Sequence, residues 1–131
     1  MNNSTIQVIG NVATEIRFNT TPEGIPVASF RLAATERKFD RETSRWVDGE
    51  VNWYTVSCWR ALAENVASSV QKGDPVFVIG RLNVRTWERD ERSGTSVDIT
   101  ADIVGHDLAR GTASFKRSAK QSAQEFSTAA A

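Results

Sequence analysis

Apolar and polar residues alternate with a period of two along most of this chain, the spacing of strands that bury one face. Residues 5–12, Thr-Ile-Gln-Val-Ile-Gly-Asn-Val, read as a strand that continues to Phe18. Residues 19–24 carry the turn chemistry Thr-Thr-Pro-Glu-Gly. A second strand spans 25–37, where Ala28, Phe30 and Leu32 alternate with Ser29, Arg31 and Ala33. Residues 38–50 are dense in charge and read as a loop, and 51–59 form a third strand. The period then changes. Leu62, Val66 and Val70 recur every four residues with Ala63 and Ala67 beside them, which predicts a helix over 60–71 closed by Lys72-Gly73. Pro75 opens a fourth strand that runs to Trp87, residues 88–94 form a second charged loop, and a fifth strand spans 95–104. In that last strand Val97, Ile99, Ala101 and Ile103 are expected to face inward.

Three strands, a helix and two strands predict a mainly β domain. The closure that fits this order and length is a five-stranded Greek-key barrel of the OB-fold type, with its one helix between strands three and four. Gly10 and Gly80 fit strong bends in barrel strands. After Leu108 the chain turns to Ala, Ser, Lys and Gln. The expected organisation is a barrel domain over 1–108 and a short, disordered basic tail over 109–131.

The outer faces carry the candidate chemistry. On the third strand Trp53, Thr55, Ser57 and Trp59 share a face, while Tyr54, Val56 and Cys58 take the other. Two large rings spaced by hydroxyl residues are too polar for a core and too aromatic for plain solvent. They suit a platform on which flat rings stack. On the fourth strand Val76, Val78, Leu82 and Val84 face one way; Arg81, Asn83, Arg85 and Trp87 face the other. The second strand adds Arg31, and its run extends through Arg37 to Phe39. Aromatic residues interleaved with Arg are the chemistry of single-stranded nucleic acid binding: bases stack, cations meet phosphate, and no base sequence is read. For Trp59 alone a core position fits equally well; the pairing with Trp53 favours binding. For Trp46 loop packing and nucleic-acid contact fit equally, and for Arg31 so do a solvated barrel position and a contact. Arg89 and Arg92 read as solvated loop charges.

Charge narrows this picture. Lys and Arg number 16 and Asp and Glu 16, so net charge is zero and attraction to phosphate must come from a local stripe. The tail holds Arg110, Lys116, Arg117 and Lys120 against Glu125. No apolar run is long enough for a membrane, and Met1-Asn2-Asn3-Ser4 lacks a signal-peptide pattern, so a cytoplasmic, nucleoid-associated location without a membrane partner is expected. One Cys excludes an internal disulfide and a Cys-only metal site. Asp98 and Asp102, four residues apart on one strand, stand about 13 Å from each other, too far to share a metal. His106 has no ligand partner at a suitable spacing, and no phosphate loop or nucleophile elbow occurs. The expectation is a non-enzyme with no metal and no cofactor. An RNA-binding barrel, an oligomeric scaffold and a metal-dependent nuclease stay open as other classes.

The ordered set Gln7-Val8-Ile9-Gly10-Asn11-Val12, Val27-Ala28-Ser29-Phe30-Arg31-Leu32-Ala33, Trp53-Tyr54, Ala63-Glu64-Asn65-Val66-Ala67 and Lys72-Gly73-Asp74-Pro75-Val76-Phe77-Val78-Ile79-Gly80-Arg81-Leu82 resembles the bacterial single-stranded DNA-binding proteins. The likeness runs over about residues 5–108, and the Arg-rich stretch between 35 and 50 looks like the actinobacterial branch. The resemblance implies a homotetramer of OB-folds that binds single-stranded DNA. It places the family's stacking aromatics at Phe39, Trp53, Trp59 and Trp87 and its phosphate-binding cations at Lys72 and Arg85. Thr55 and Ala61 stand where the family usually has a basic residue; Arg37, Arg41 and Arg60 are the nearby candidates to replace them. Tyr54 matches a position at a subunit contact, and Cys58 belongs to the inward or interface-facing set. The family usually ends in an acidic, Phe-terminated tip that recruits proteins. This sequence ends Glu125-Phe126-Ser127-Thr128-Ala129-Ala130-Ala131, so the implied protein is a short paralogue with few partners through its tail.

Overall fold

The computed structural model describes residues 4–118. The alternating segments form strands β1 (Thr5–Val12), β2 (Arg17–Thr20), β3 (Pro26–Asp40), β4 (Arg45–Trp59), β5 (Pro75–Arg89) and β6 (Arg92–His106), with helix α1 (Ala61–Ser69) between β4 and β5. The sheet runs β1-β5-β6-β4-β3-β2, and β1 also pairs with β3, which closes a barrel. All pairings are antiparallel except β4 with β6, where Thr55, Val56 and Ser57 lie beside Asp98, Ile99 and Thr100. Inward residues come from every second position. Ala28, Phe30 and Leu32 of β3, Val56 and Cys58 of β4, Val76 and Val78 of β5, and Ile99 and Ala101 of β6 are buried. Ala63 and Val66 of α1, with Val70 just after it, close one end of this core. Gly10 and Gly80 lie where strands approach closely. A Cβ on Gly10 would stand 2.6 Å from the carbonyl oxygen of Ala33, and one on Gly80 would collide with the Thr100 carbonyl. The closing seam is short: β1 meets β3 only at Asn11↔Ala33 and Val12↔Leu32, against seven pairs between β1 and β5.

The expected first strand is two. Between β1 and β2 the chain steps across β3, and the step is held by Ala13 N–H donating to Arg31 O at 2.8 Å and Arg31 N–H donating to Thr14 Oγ1 at 3.0 Å. The barrel keeps its five-stranded closure, since β2 continues β1's role along β3.

Both expected charged loops are largely strand. β3 and β4 pair out to Asp40↔Arg45, and β5 and β6 pair out to Arg89↔Arg92. Residues 41–44 and 90–91 are all that remains of turn, with Ser44 and Asp90 both at φ 56°. Beyond the barrel these arms have water on both faces, so polar side chains carry no penalty there while the backbone still finds its partners across the hairpin. That is why charge hid the strands. It also explains Val84, expected inward but 54% exposed on the β5 arm.

The inward set of β6 is also corrected. Ile79 pairs with Ile103 and Gly80 with Ala101, so Asp102 is an extra residue in β6, a bulge. The bulge resets the alternation. Ile99 and Ala101 are buried, but Ile103 is 51% exposed and Val104 packs against the core instead. Helix α1 ends before Lys72-Gly73. Val70 is extended and its N–H donates to Val66 O at 2.9 Å, while Gly73, at φ 95°, shapes the turn beyond, where its N–H donates to Val12 O. Asp74 Oδ2 accepts the Gln71 N–H at 2.9 Å and lies 3.0 Å from His106 Nε2, which ties this turn to the end of β6.

From Asp107 to Ser118 the chain has no strand or helix, yet Asn65 Nδ2 of α1 donates to Ser118 Oγ at 3.3 Å. The rest of the expected tail, residues 119–131, lies outside the described residues.

Cys58 settles inside the barrel with no exposed surface, the inward alternative for its set, because its parity on β4 matches that of Val56. Burial pushes its thiol pKa up to about 12. The thiol therefore stays protonated and screened in the folded protein. We expect a thiol reagent to label Cys58 at neutral pH only as fast as the barrel unfolds, and a non-reducing gel to show no cross-linked dimer. Rapid labelling of the native protein would contradict this placement.

Candidate nucleic-acid interface

The outward residues of β3, β4, β6 and β5 form one continuous face. Pairing sets its rows. Arg31 lies opposite Thr55, Thr55 beside Asp98, and Asp98 opposite Asn83. The next row is Ser29, Ser57, Thr100 and Arg81. Trp53 and Trp59 flank these rows on β4, 50% and 43% exposed. Six residues of strand separate them by about 20 Å, room for several stacked bases. The Arg31 guanidinium stands 5.6 Å from the Trp53 ring centre. Such a cation–π contact contributes about 0.5–1 kcal/mol at an exposed site. It places a cation beside a half-exposed ring on the outer face of the sheet.

The face continues onto both arms. On β3, Arg37 and Phe39 follow Arg31 at even spacing. Across from them the register slips: Thr35 pairs with Val51, but Arg37 pairs with Asp48. Gly49 and Glu50 thus stand opposite Glu36 alone, and this bulge reverses the parity of β4. Trp46, which strict alternation from Trp53 would send to the opposite face, comes to lie across from Phe39. The two rings meet edge to face, centroids 5.5 Å apart, and Trp46 is 63% exposed. Trp46 is the residue that sequence reasoning left undecided; the signal available was the Asp-Gly pair at 48–49, a bulge-forming step inside a stretch read as loop.

On the β5 arm, Trp87 lies opposite Gly94, and its ring fills the space that a side chain on Gly94 would need. Arg85 shares this face, but it is engaged. Its Nε and Nη2 both donate to Asp98 Oδ2 at 2.7 Å. Arg37 pairs more loosely with Asp48, at 3.7 Å in the open.

Three expected cations lie off the sheet face. Arg41 is in the β3–β4 turn, Lys72 in the turn after α1, and Arg60 directly after Trp59, at φ 61° with its N–H on Pro26 O. Tyr54 is half-buried and packs against the core, opposite Leu32. Among the described residues no three or more His, Cys, Asp or Glu side chains gather as a metal-ligand set, and no helix is long and apolar enough to cross a membrane.

The model of the single-strand binding protein family matches residues 2–107. The chain belongs to that family. It is 50% identical over 123 residues to single-stranded DNA-binding protein 1 of Streptomyces coelicolor, spanning 94% of this chain and 78% of that one. It is 50% identical over 131 residues to single-stranded DNA-binding protein 2 of Streptomyces avermitilis, 99% of this chain and 82% of the relative. The fold is similar to the crystal structure of the small single-stranded DNA-binding protein from Streptomyces coelicolor, with a TM-score of 0.77 at 50% identity, covering 85% of this chain and all of the other. A second neighbour is a single-stranded DNA-binding protein of Mycobacterium smegmatis, with a TM-score of 0.67 at 29% identity, covering 88% of this chain and 100% of the other. The OB-fold reading and the family resemblance drawn from the sequence both hold.

The seating of Trp87 on Gly94 makes a local expectation. In a variant that keeps Trp87 as its one tryptophan, Gly94→Ala pushes the ring off the strand and shifts its emission to the red. The unfolding midpoint moves little, because the arm lies outside the barrel core. Unchanged emission would mean that another contact holds the ring.

Proposed function

We propose that this protein binds single-stranded DNA with little base preference, protecting it in replication, recombination, repair or a specialised DNA process. Bases stack on Trp53, Trp59, Trp87 and Phe39, and on Trp46, which the β4 bulge adds to the set. Arg31, Arg37, Arg41, Arg60, Lys72 and Arg85 supply phosphate contacts. The observation that carries this reading is the continuous outer face on which exposed rings alternate with Arg, centred on the Arg31–Trp53 contact. The described part of the tail adds Arg110, Lys116 and Arg117, whose sign suits phosphate more than a basic protein pocket.

A second surface supports self-association, read as a homotetramer. On the outer side of β1, β5 and β6, Ile9 lies opposite Phe77 and Ile79 opposite Ile103. Ile9 is 64% exposed and Ile103 51%. An apolar patch on the outer side of the sheet, at its β1 edge and next to the Arg81 row, is what symmetric pairing covers.

Titration with oligo-dT, followed by tryptophan quenching at two salt concentrations, tests the DNA reading. Trp53→Ala, Trp59→Ala and Trp87→Ala should each weaken binding by about 1–3 kcal/mol per lost stack, whatever the base sequence. If all three bind like the parent while folded, the platform is not the site. Preference for oligo-rU over oligo-dT would move the reading to RNA. For assembly, Ile103→Glu should lower the mass seen by light scattering while circular dichroism stays unchanged; a parent that is monomeric at micromolar concentration would refute the tetramer.

A further inference from the structure

Asp98 sits in the middle of the proposed DNA face, and its partner is a cation assigned to phosphate. It belongs to a central strand, paired on both sides: Thr55 of β4 lies beside it and Asn83 of β5 opposite. Its side chain is only 17% exposed, whereas that of Arg85 is 65% exposed. The carboxylate is therefore the fixed member and the guanidinium the movable one. One oxygen, Oδ2, takes both Nε–H and Nη2–H of Arg85 at 2.7 Å. That edge of the guanidinium is one of the two with which arginine grips a phosphate bidentately. A strand crossing the face meets an arginine whose side edge is filled and whose charge is already answered.

We infer that Asp98 is an affinity-setting residue: it attenuates Arg85 as a phosphate contact, so that the centre of the face binds DNA through rings more than through charge. The inference rests on the proposed DNA-binding reading. Its logic is that of counterion release. A cation neutralised by a protein carboxylate releases few counterions when phosphate arrives, so it adds little to the salt slope. Removing the carboxylate's charge hands Arg85 to the DNA. Arg31, in the same row on β3, meets Trp53 and is left out of this pair.

The test is a cycle of the full chain, Asp98→Asn, Arg85→Ala and the double variant, each titrated with oligo-dT at about 50 and about 200 mM salt. Asp98→Asn should bind more tightly at low salt. Its log–log salt slope should steepen by about 0.7, so the ratio of affinities between the two salts grows about 2.6-fold. In the Arg85→Ala background the same substitution should leave the slope unchanged. Asp98→Ser, equally uncharged, should repeat the result; a gain seen with Asn and not with Ser overturns the inference by assigning it to a contact of the Asn amide. An unchanged or shallower slope in Asp98→Asn overturns the inference and makes Asp98 a residue that aims Arg85. A gain that persists without Arg85 also overturns it, assigning the effect to the general field of the face. If the unaltered chain gives no quenching at all, the DNA-binding reading falls, and the inference with it; normal quenching with a silent Asp98→Asn removes only the inference.

Discussion

A barrel interior in which, among the described residues, no polar side chain is buried is the constraint from which the rest of this molecule follows. The core is built from Val, Ala, Leu, Ile, Cys and one Phe, and among the described residues no side-chain nitrogen or oxygen is buried without a partner. Strand geometry sends alternate residues to opposite sides. Every position beside a core residue is therefore an outward one, and the four tryptophans, too large for this interior, stand outside it. The exposed aromatic face and the closed core are two sides of one alternation.

The arms follow a different rule. Past Thr35 on β3 and Asn83 on β5, no side chain reaches the core, and only backbone pairing and cross-strand contacts hold the hairpins. A two-stranded ribbon of this kind is marginal by itself. Phe39 against Trp46 and Trp87 over Gly94 are the contacts that brace each ribbon. The same rings are among those proposed to stack on bases. On that proposal, bracing and binding draw on the same side chains, and substitutions there act on both.

The barrel was legible in the sequence because burial imposes period two. Ala28-Phe30-Leu32 and Val56-Cys58 appear as alternation and are found inward. Trp53, Trp59 and Trp87 were legible for the complementary reason, as large rings at outward parity. What escaped lies where alternation carries no information. Residues 38–50 and 88–94 are, apart from their turns, strands wet on both sides, so no hydrophobic signal marks them. The bulges at Asp102 and at Gly49-Glu50 change parity, and counting by two cannot see them. That is why Ile103 was expected inside and why Trp46 had no assigned face. The Arg85–Asp98 pair was hidden for a third reason: it is diagonal across two strands, and becomes visible only with the register.

The seam between β1 and β3 has a mechanical meaning. Two residue pairs close the barrel there, against three between β4 and β6, four between β2 and β3 and seven or more along the other seams. Local opening begins where the fewest backbone bonds must break together. One of those two pairs ends on Ala33, whose other neighbour is Trp53. This short seam of the cylinder thus lies one strand away from Trp53. A tether drawn taut across that ring pulls on the wall at its thinnest stave.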